Sequence, residues 1–224
     1  IPGDGDVGAV YKGDPLLADG VVEFVGQPVF AVAAISLEIA QRSVAAAVIE
    51  YEVLEATITP QDAMTKTLFV LPEKRFVQGD ARAAIDQAPH RIQGEQYVRG
   101  QEHFYLEGQI CHCMPTEDRG VHIISSSQHP TEVQKLVAKV LAIEFNQVQV
   151  EVRRMGGGFG GKESQAAALA CTAAIFARRN QRPVKFRMPR QDDMVQTGKR
   201  HDFWNRYEVG FDDDGLIHGV TMDL

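Results

Sequence analysis

The sequence predicts a mixed α/β fold of the α+β kind, and three observations predict it. Short apolar runs, some continuous and some alternating with polar residues, read as strands; Val121–Ser125 and Phe203–Phe211 are the clearest. Two segments carry strong helix signals. Val133, Leu136, Val137, Val140 and Leu141 line one face of a 3.6-residue period, and Ser164–Arg178 is rich in alanine. The two kinds of segment follow one another in mixed order rather than in strict alternation, which favours α+β over a doubly wound parallel sheet.

Taken in order, Gly26-Gln27-Pro28 reads as a turn, and the apolar run Val29–Ile35 suits a buried strand. Ser36 stands where a helix N-cap belongs, with Leu37, Ala40, Val44 and Val48 at helical spacing behind it. Ile49–Leu54 alternates again, so residues 29–54 read as a β–α–β unit with a right-handed crossover expected. Residues 61–80 lack a period and contain Pro72 and Gly79-Asp80, the best position for a domain boundary. Strands are then expected at Arg91–Val98, Gln109–Met114 and Val121–Ser125. Pro130 fits the first position of a helix running to Ala142. Val148–Arg154 feeds a glycine run, Ser164–Arg178 follows as helix, and Pro183–Met188 returns as a strand. Phe203–Phe211, the turn Asp212–Gly215 and the return Leu216–Leu224 make a hairpin. A hairpin needs further strands to cover its faces, and the chain opens on a loop-like Ile1–Asp6, so a piece of a longer protein is expected.

Composition narrows the function classes. Apolar residues make up 44% and charged residues 24% of 224, ordinary for a globular domain with a substantial core. A net charge of −7, with Lys and Arg scattered, argues against a nucleic-acid or anionic-membrane surface. No stretch reaches the roughly 18 apolar residues that span a bilayer. Three cysteines without framework spacing, Cys111, Cys113 and Cys171, fit a reducing compartment, and a cytoplasmic location is expected.

The run Met155-Gly156-Gly157-Gly158-Phe159-Gly160-Gly161-Lys162-Glu163 carries the most chemical information. Five glycines in six positions are costly in conformational entropy, and a fold keeps them where positive φ or close backbone approach is needed. A merely structural loop is one reading. A phosphate loop is a second, since Gly156, Gly161 and Lys162 match G-x-x-x-x-G-K. That reading fails on Glu163, which stands where a magnesium-binding Ser or Thr is required, and on the bulky Phe159. The third reading keeps the strand–loop–helix geometry and changes the ligand. Outward-pointing amides favour an oxyanion or oxo group, and Glu163 offers an acceptor to substrate N–H groups.

Arg154–Glu163 closely resembles the glycine loop of the xanthine dehydrogenase and aldehyde oxidase family of molybdenum hydroxylases. Gly100–Glu107 (GQEHFYLE) resembles the segment ahead of that family's cofactor domain, and Ser125-Ser126-Ser127-Gln128-His129-Pro130 its glutamine-bearing loop. Asp14–Leu17 together with Phe24–Pro28 is similar to the last part of its hammerhead domain. The resemblance implies residues 1–62 as the end of a hammerhead-type β–α–β domain and residues 63–224 as the first part of the molybdopterin-binding domain. It implies that Gln128 bonds, directly or through water, to an oxo or sulfido ligand of molybdenum. Gly158, Phe159 and Gly160 would lie beside the molybdopterin and the metal's terminal ligands, and Glu163 would bind and orient a purine. Members that oxidise aldehydes tend to be apolar at this last position, so Glu163 favours a xanthine dehydrogenase-type member.

Further implications concern the whole enzyme. Hypoxanthine and xanthine would be oxidised to urate with water as the oxygen source, in purine catabolism. Electrons would pass to iron–sulfur clusters and FAD in other domains or subunits of an oligomeric enzyme. A deprotonating glutamate and a purine-partnering arginine are expected in sequence beyond Leu224, so no catalytic base is assigned here, and the isolated chain is expected to be inactive and cofactor-free. A molybdenum hydroxylase acting on an aldehyde or another N-heterocycle is the alternative, as is a non-catalytic binding domain of the same ancestry.

Other features are read more plainly. Cys111-His112-Cys113 alternates as a strand, which sends the thiols to one face and the imidazole to the other, so buried thiols are expected rather than a metal site. His103, between Glu102 and Glu107, reads as a hydrogen-bonded structural histidine, and His129 as part of the helix start. Asp212–Asp214 is accounted for by a hairpin turn.

Overall fold

The computed structural model describes all 224 residues. In chain order the elements are helices α1 (Leu37–Ala45), α2 (Pro60–Thr65) and α3 (Ala81–Gln87), strands β1 (His90–Val98), β2 (Ile110–Pro115) and β3 (Val121–Ser125), then α4 (Pro130–Leu141). A 3₁₀ turn at Phe145–Gln147 leads into β4 (Val148–Glu151), and α5 (Gln165–Asn180), β5 (Val184–Arg187), α6 (Arg190–Gln196), β6 (Phe203–Phe211) and β7 (Ile217–Asp223) follow. The mixed α/β expectation holds. The chain divides into two compact units, one of residues 1–48 and 102–199, the other of residues 49–101 and 200–224.

The first unit is built on a four-stranded sheet in the order β4-β3-β2-β5. β3 and β4 run parallel, while β2 is antiparallel to both β3 and β5. Alternation decides the sheet's two faces. Cys111 and Cys113 on β2 and Val121 and Ile123 on β3 are buried, whereas His112 and His122 between them are partly exposed. Against the buried face pack α4, through Val133, Leu136, Val137, Val140 and Leu141, and α5, through Ala166, Ala170, Cys171, Ala173, Ala174 and Ala177. Small residues along α5 let its backbone approach the sheet closely. α4 ends at Ala142 in the left-handed conformation (φ 51°), whose N–H bonds back into the last turn. The three thiols are buried as expected, and burial pushes those of Cys111 and Cys113 up to about 12 and that of Cys171 up further. Leu136 is 1% exposed at the centre of this layer. Leu136→Ala is expected to destabilise the unit by about 2–5 kcal/mol, read as a lowered urea midpoint at unchanged slope.

The second unit is a three-stranded antiparallel sheet, β1-β6-β7, with α3 laid on one face. Two strand glycines make room for the helix. A Cβ on Gly210 would lie 2.8 Å from the Ile85 Cα, and one on Gly219 2.7 Å from the Ala81 carbonyl oxygen. Ile85 fills that seam and is fully buried. The hairpin turn forms as expected, with the Asp212 carboxylate accepting from the Asp214 and Leu216 amides and Gly215 at φ 79°.

Two expected strands do not form. Val29–Ile35 and Ile49–Leu54 enter no ladder, so the β–α–β reading of residues 29–54 is corrected to a single helix between unpaired segments. The helix starts where expected, with the Ser36 hydroxyl accepting from the Ile39 amide. An apolar run becomes a strand only when a neighbouring backbone takes its N–H and C=O groups, and none does here. Ile35, Val48 and Val53 accordingly stand exposed. The short helices α2, α3 and α6 were not expected. Each has six or seven residues, fewer than two turns, which is too short to display a period. No helix is long and apolar enough to cross a membrane.

Candidate functional site

The glycine loop runs from the end of β4 to the start of α5, as the strand–loop–helix reading required. Three of its residues have positive φ: Gly157 at 98°, Phe159 at 52° and Gly160 at 87°. Phe159 is not a glycine, so it carries some backbone strain while holding its ring three-quarters exposed at the loop's crest. The other glycines answer to close approach. A Cβ on Gly158 would come within 2.5 Å of the Gln128 Oε1, one on Gly156 within 2.6 Å of the Glu107 Cβ, and one on Gly161 within 2.8 Å of the Tyr105 ring.

These contacts bring together segments far apart in sequence. The Gln128 side-chain oxygen accepts from the Gly160 amide at 3.0 Å and the Lys162 amide at 3.1 Å, while the Gln128 backbone N–H donates to the Lys162 carbonyl at 2.9 Å. Both side-chain partners are N–H donors, so the carboxamide oxygen must face the loop. The Nε2 amino group is thereby left with no protein acceptor, and it can only donate. The amides of Gly157, Gly158 and Phe159 likewise bond to no protein group, whereas that of Gly160 is taken by Gln128. Of the residues singled out from sequence, Gln128, Gly158, Phe159 and Gly160 therefore form one edge of free and bound donors. Glu163 follows at the exit of the loop, exposed and with no hydrogen-bond partner, two residues before α5 begins.

Lys162 does something sequence reasoning missed. A phosphate-binding lysine would project outward, but Lys162 is fully buried and points inward. Its Nζ donates to the Glu107 carbonyl at 2.6 Å and the Glu107 carboxylate at 3.1 Å, and lies 4.6 Å from the centre of the Tyr105 ring. This is a second, geometric reason against a phosphate loop. Burial raises the Glu107 carboxyl's affinity for protons, but donors from Gly156, Lys162 and Ser126 outweigh it and hold the group below the usual carboxylate range. Beneath the loop, Tyr105 donates to Asp193 at 2.7 Å and accepts from Gln109, whose Nε2 also reaches the Gly161 carbonyl at 2.9 Å. Burial, then the Asp193 bond, pushes the Tyr105 hydroxyl up to about 12, so it stays a donor. His103 stacks on Tyr105 with ring centroids 6.3 Å apart, but its ring makes no hydrogen bond, which corrects the expectation of a hydrogen-bonded histidine. The polar density of Gln101–Gln109 and the resemblance carried by Gly100–Glu107 both single out this segment, but neither gives its partners.

The site is thus an open edge of backbone and carboxamide donors on a rigid polar base. Nowhere do three His, Cys, Asp or Glu side chains come together in ligating range, so a metal here would meet the loop and Gln128 rather than a cage of side chains. A shallow surface concavity of the second unit, between Glu95, Arg206 and Glu208, contains none of these residues.

Residues 60–224 match the family model of the molybdopterin cofactor-binding domain. The chain is 40% identical to aldehyde oxidase 2 of Macaca fascicularis over 214 residues, 95% of this chain, and 36% identical to xanthine dehydrogenase/oxidase of Gallus gallus over 223 residues, 99% of it. It spans 16% of the length of each of these relatives. Among solved structures, the aldehyde oxidoreductase of Desulfovibrio desulfuricans superposes with a TM-score of 0.85 at 20% identity, over 99% of this chain and 26% of that one, which shows the fold. The chain belongs to the molybdopterin cofactor-binding domain family, on its xanthine dehydrogenase and aldehyde oxidase branch.

Proposed function

We propose that this chain supplies one wall of the molybdopterin site of a molybdenum hydroxylase that oxidises hypoxanthine and xanthine to urate, with water as the oxygen source. The observation that carries the reading is the Gln128 carboxamide, whose oxygen is held by two loop amides while its NH₂ bonds to no protein group. A donor fixed in this way suits an oxo or sulfido acceptor on molybdenum. Gly158, Phe159 and Gly160 fit the cofactor by presenting unbonded backbone amides at Gly158 and Phe159 and open space at Gly160, where a Cβ would meet nothing within 4 Å. When bound, the molybdenum cofactor supplies the two-electron oxidation. The chain's own residues orient it and hold substrate: Glu163, free of protein partners, accepts from a purine N–H and so fixes the orientation of the ring.

The domain assignment belongs to the same proposal, with residues 1–62 as the end of a hammerhead-type domain and 63–224 as the start of the cofactor domain. So do iron–sulfur and FAD centres on other domains or subunits, an oligomeric enzyme and a cytoplasmic location. Similarity does not separate purine from aldehyde substrates, since identities of 36–40% are shared between both kinds of relative. Glu163 is what favours the purine. The full-length, matured protein is expected to contain about one molybdenum per chain and to oxidise xanthine faster than an aromatic aldehyde. A matured protein free of molybdenum overturns the reading, and a preference for the aldehyde shifts it to the alternative substrate class.

A further inference from the structure

Lys162 joins two systems of bonds. Its side chain reaches Glu107, while its backbone N–H donates to the Gln128 side chain and its carbonyl accepts from the Gln128 N–H and the Ser127 hydroxyl. Glu107 in turn holds both ends of the glycine loop. The same carboxylate oxygen that takes Lys162 at the exit accepts from the Gly156 amide at the entry, at 2.9 Å, and from the Ser126 hydroxyl at 3.1 Å. The Glu107 N–H closes the ring by donating to the Gly156 carbonyl at 3.1 Å. A fully buried ammonium is costly to desolvate, and an apolar residue of similar length would fill the same space. Its retention here has a geometric return: it ties entry, exit and Gln128 to one point.

We propose that the hydrogen bonds joining Glu107 to Lys162 and Gly156 are a positioning device that draws the two ends of the glycine loop together and thereby sets the direction of the Gln128 amino group, touching neither cofactor nor substrate. That the aimed donor meets an acceptor on molybdenum rests on the function proposed above; that the pair sets the loop does not.

The test is hydrogen exchange on the full-length protein in its cofactor-free form, comparing a peptide covering residues 155–164 with one covering α4. Lys162→Met and Glu107→Ala are expected to raise exchange in the loop by about tenfold or more while α4 stays unchanged. Glu107→Gln keeps an acceptor oxygen for Gly156 and Lys162 and is expected to remain within about threefold of the wild type. In the loaded enzyme, the first two variants should lower kcat with little change in KM. Should Lys162→Met fail to fold, Glu107→Ala carries the comparison, since Glu107 is one-third exposed. Unchanged loop exchange in both disruptive variants overturns the inference. So does an equal rise in loop and α4, which would make the pair a general stabiliser, or a Glu107→Gln variant as loose as Glu107→Ala. Molybdenum content of the wild type reports separately on the proposed function.

Discussion

Gly158→Ala is expected to reduce turnover of the full-length enzyme by about 100-fold while leaving the protein folded. The new Cβ would fall 2.5–2.8 Å from three atoms of the Gln128 side chain, closer than real Cβ contacts allow. Gln128 is a flexible side chain reached at its far end, so it will swing aside rather than force the backbone to move. That swing breaks both bonds to Oε1, from Gly160 and Lys162, and releases the amino group from its fixed direction. The stability cost is of the order of two lost hydrogen bonds, about 1–3 kcal/mol. The catalytic cost is larger because a donor misplaced by about 1 Å can forfeit 100-fold in rate. Gln128→Ala should produce a similar loss of kcat, and Gly160→Ala a smaller one, since nothing lies within 4 Å of a Cβ there and only the positive φ opposes it. Steady-state kinetics with a thermal melt of each variant checks the set. Wild-type kcat in Gly158→Ala would detach Gln128 from the chemistry.

Glu163→Ala is expected to lower kcat/KM for xanthine by about 100-fold and for an aromatic aldehyde by less than about threefold. The carboxylate has no partner in the protein, so its removal orphans no group of the fold, and stability should change by less than about 0.5 kcal/mol. A substrate N–H left without its charged acceptor loses about 1.5–3 kcal/mol, a cost that an aldehyde without such an N–H does not incur. Equal losses on both substrates would show Glu163 supporting the loop instead of selecting a ring.

The parts legible in the sequence were those whose cause is local. α4 and α5 announce themselves by period and composition, and the Ser36 cap by residue type and position. The alternation of Cys111, His112 and Cys113 gave the burial of the thiols directly. The glycine density correctly implied close approach, because only contact with something explains so many missing side chains. What the loop touches was not legible. Glu107 lies 55 residues before Lys162, and no local pattern says that a lysine in a phosphate-loop setting turns inward. Val29–Ile35 and Ile49–Leu54 failed for the converse reason. Their composition suits a strand, but pairing depends on a partner elsewhere in space, which an apolar run does not encode.

The alanines of α5 have a consequence for how such a protein diversifies. Ala170 and Ala174 are fully buried in the core that α5 shares with the sheet and α4, and the helix begins two residues after Glu163. Enlarging Ala174 to valine or leucine wedges the helix off the sheet at a point about 13 Å along its axis from Gln165. The helix then acts as a lever, carrying its first turn and the neighbouring carboxylate to a new place. On the role proposed for Glu163, Ala174→Val is expected to alter the preference between purine and aldehyde without any contact between residue 174 and substrate.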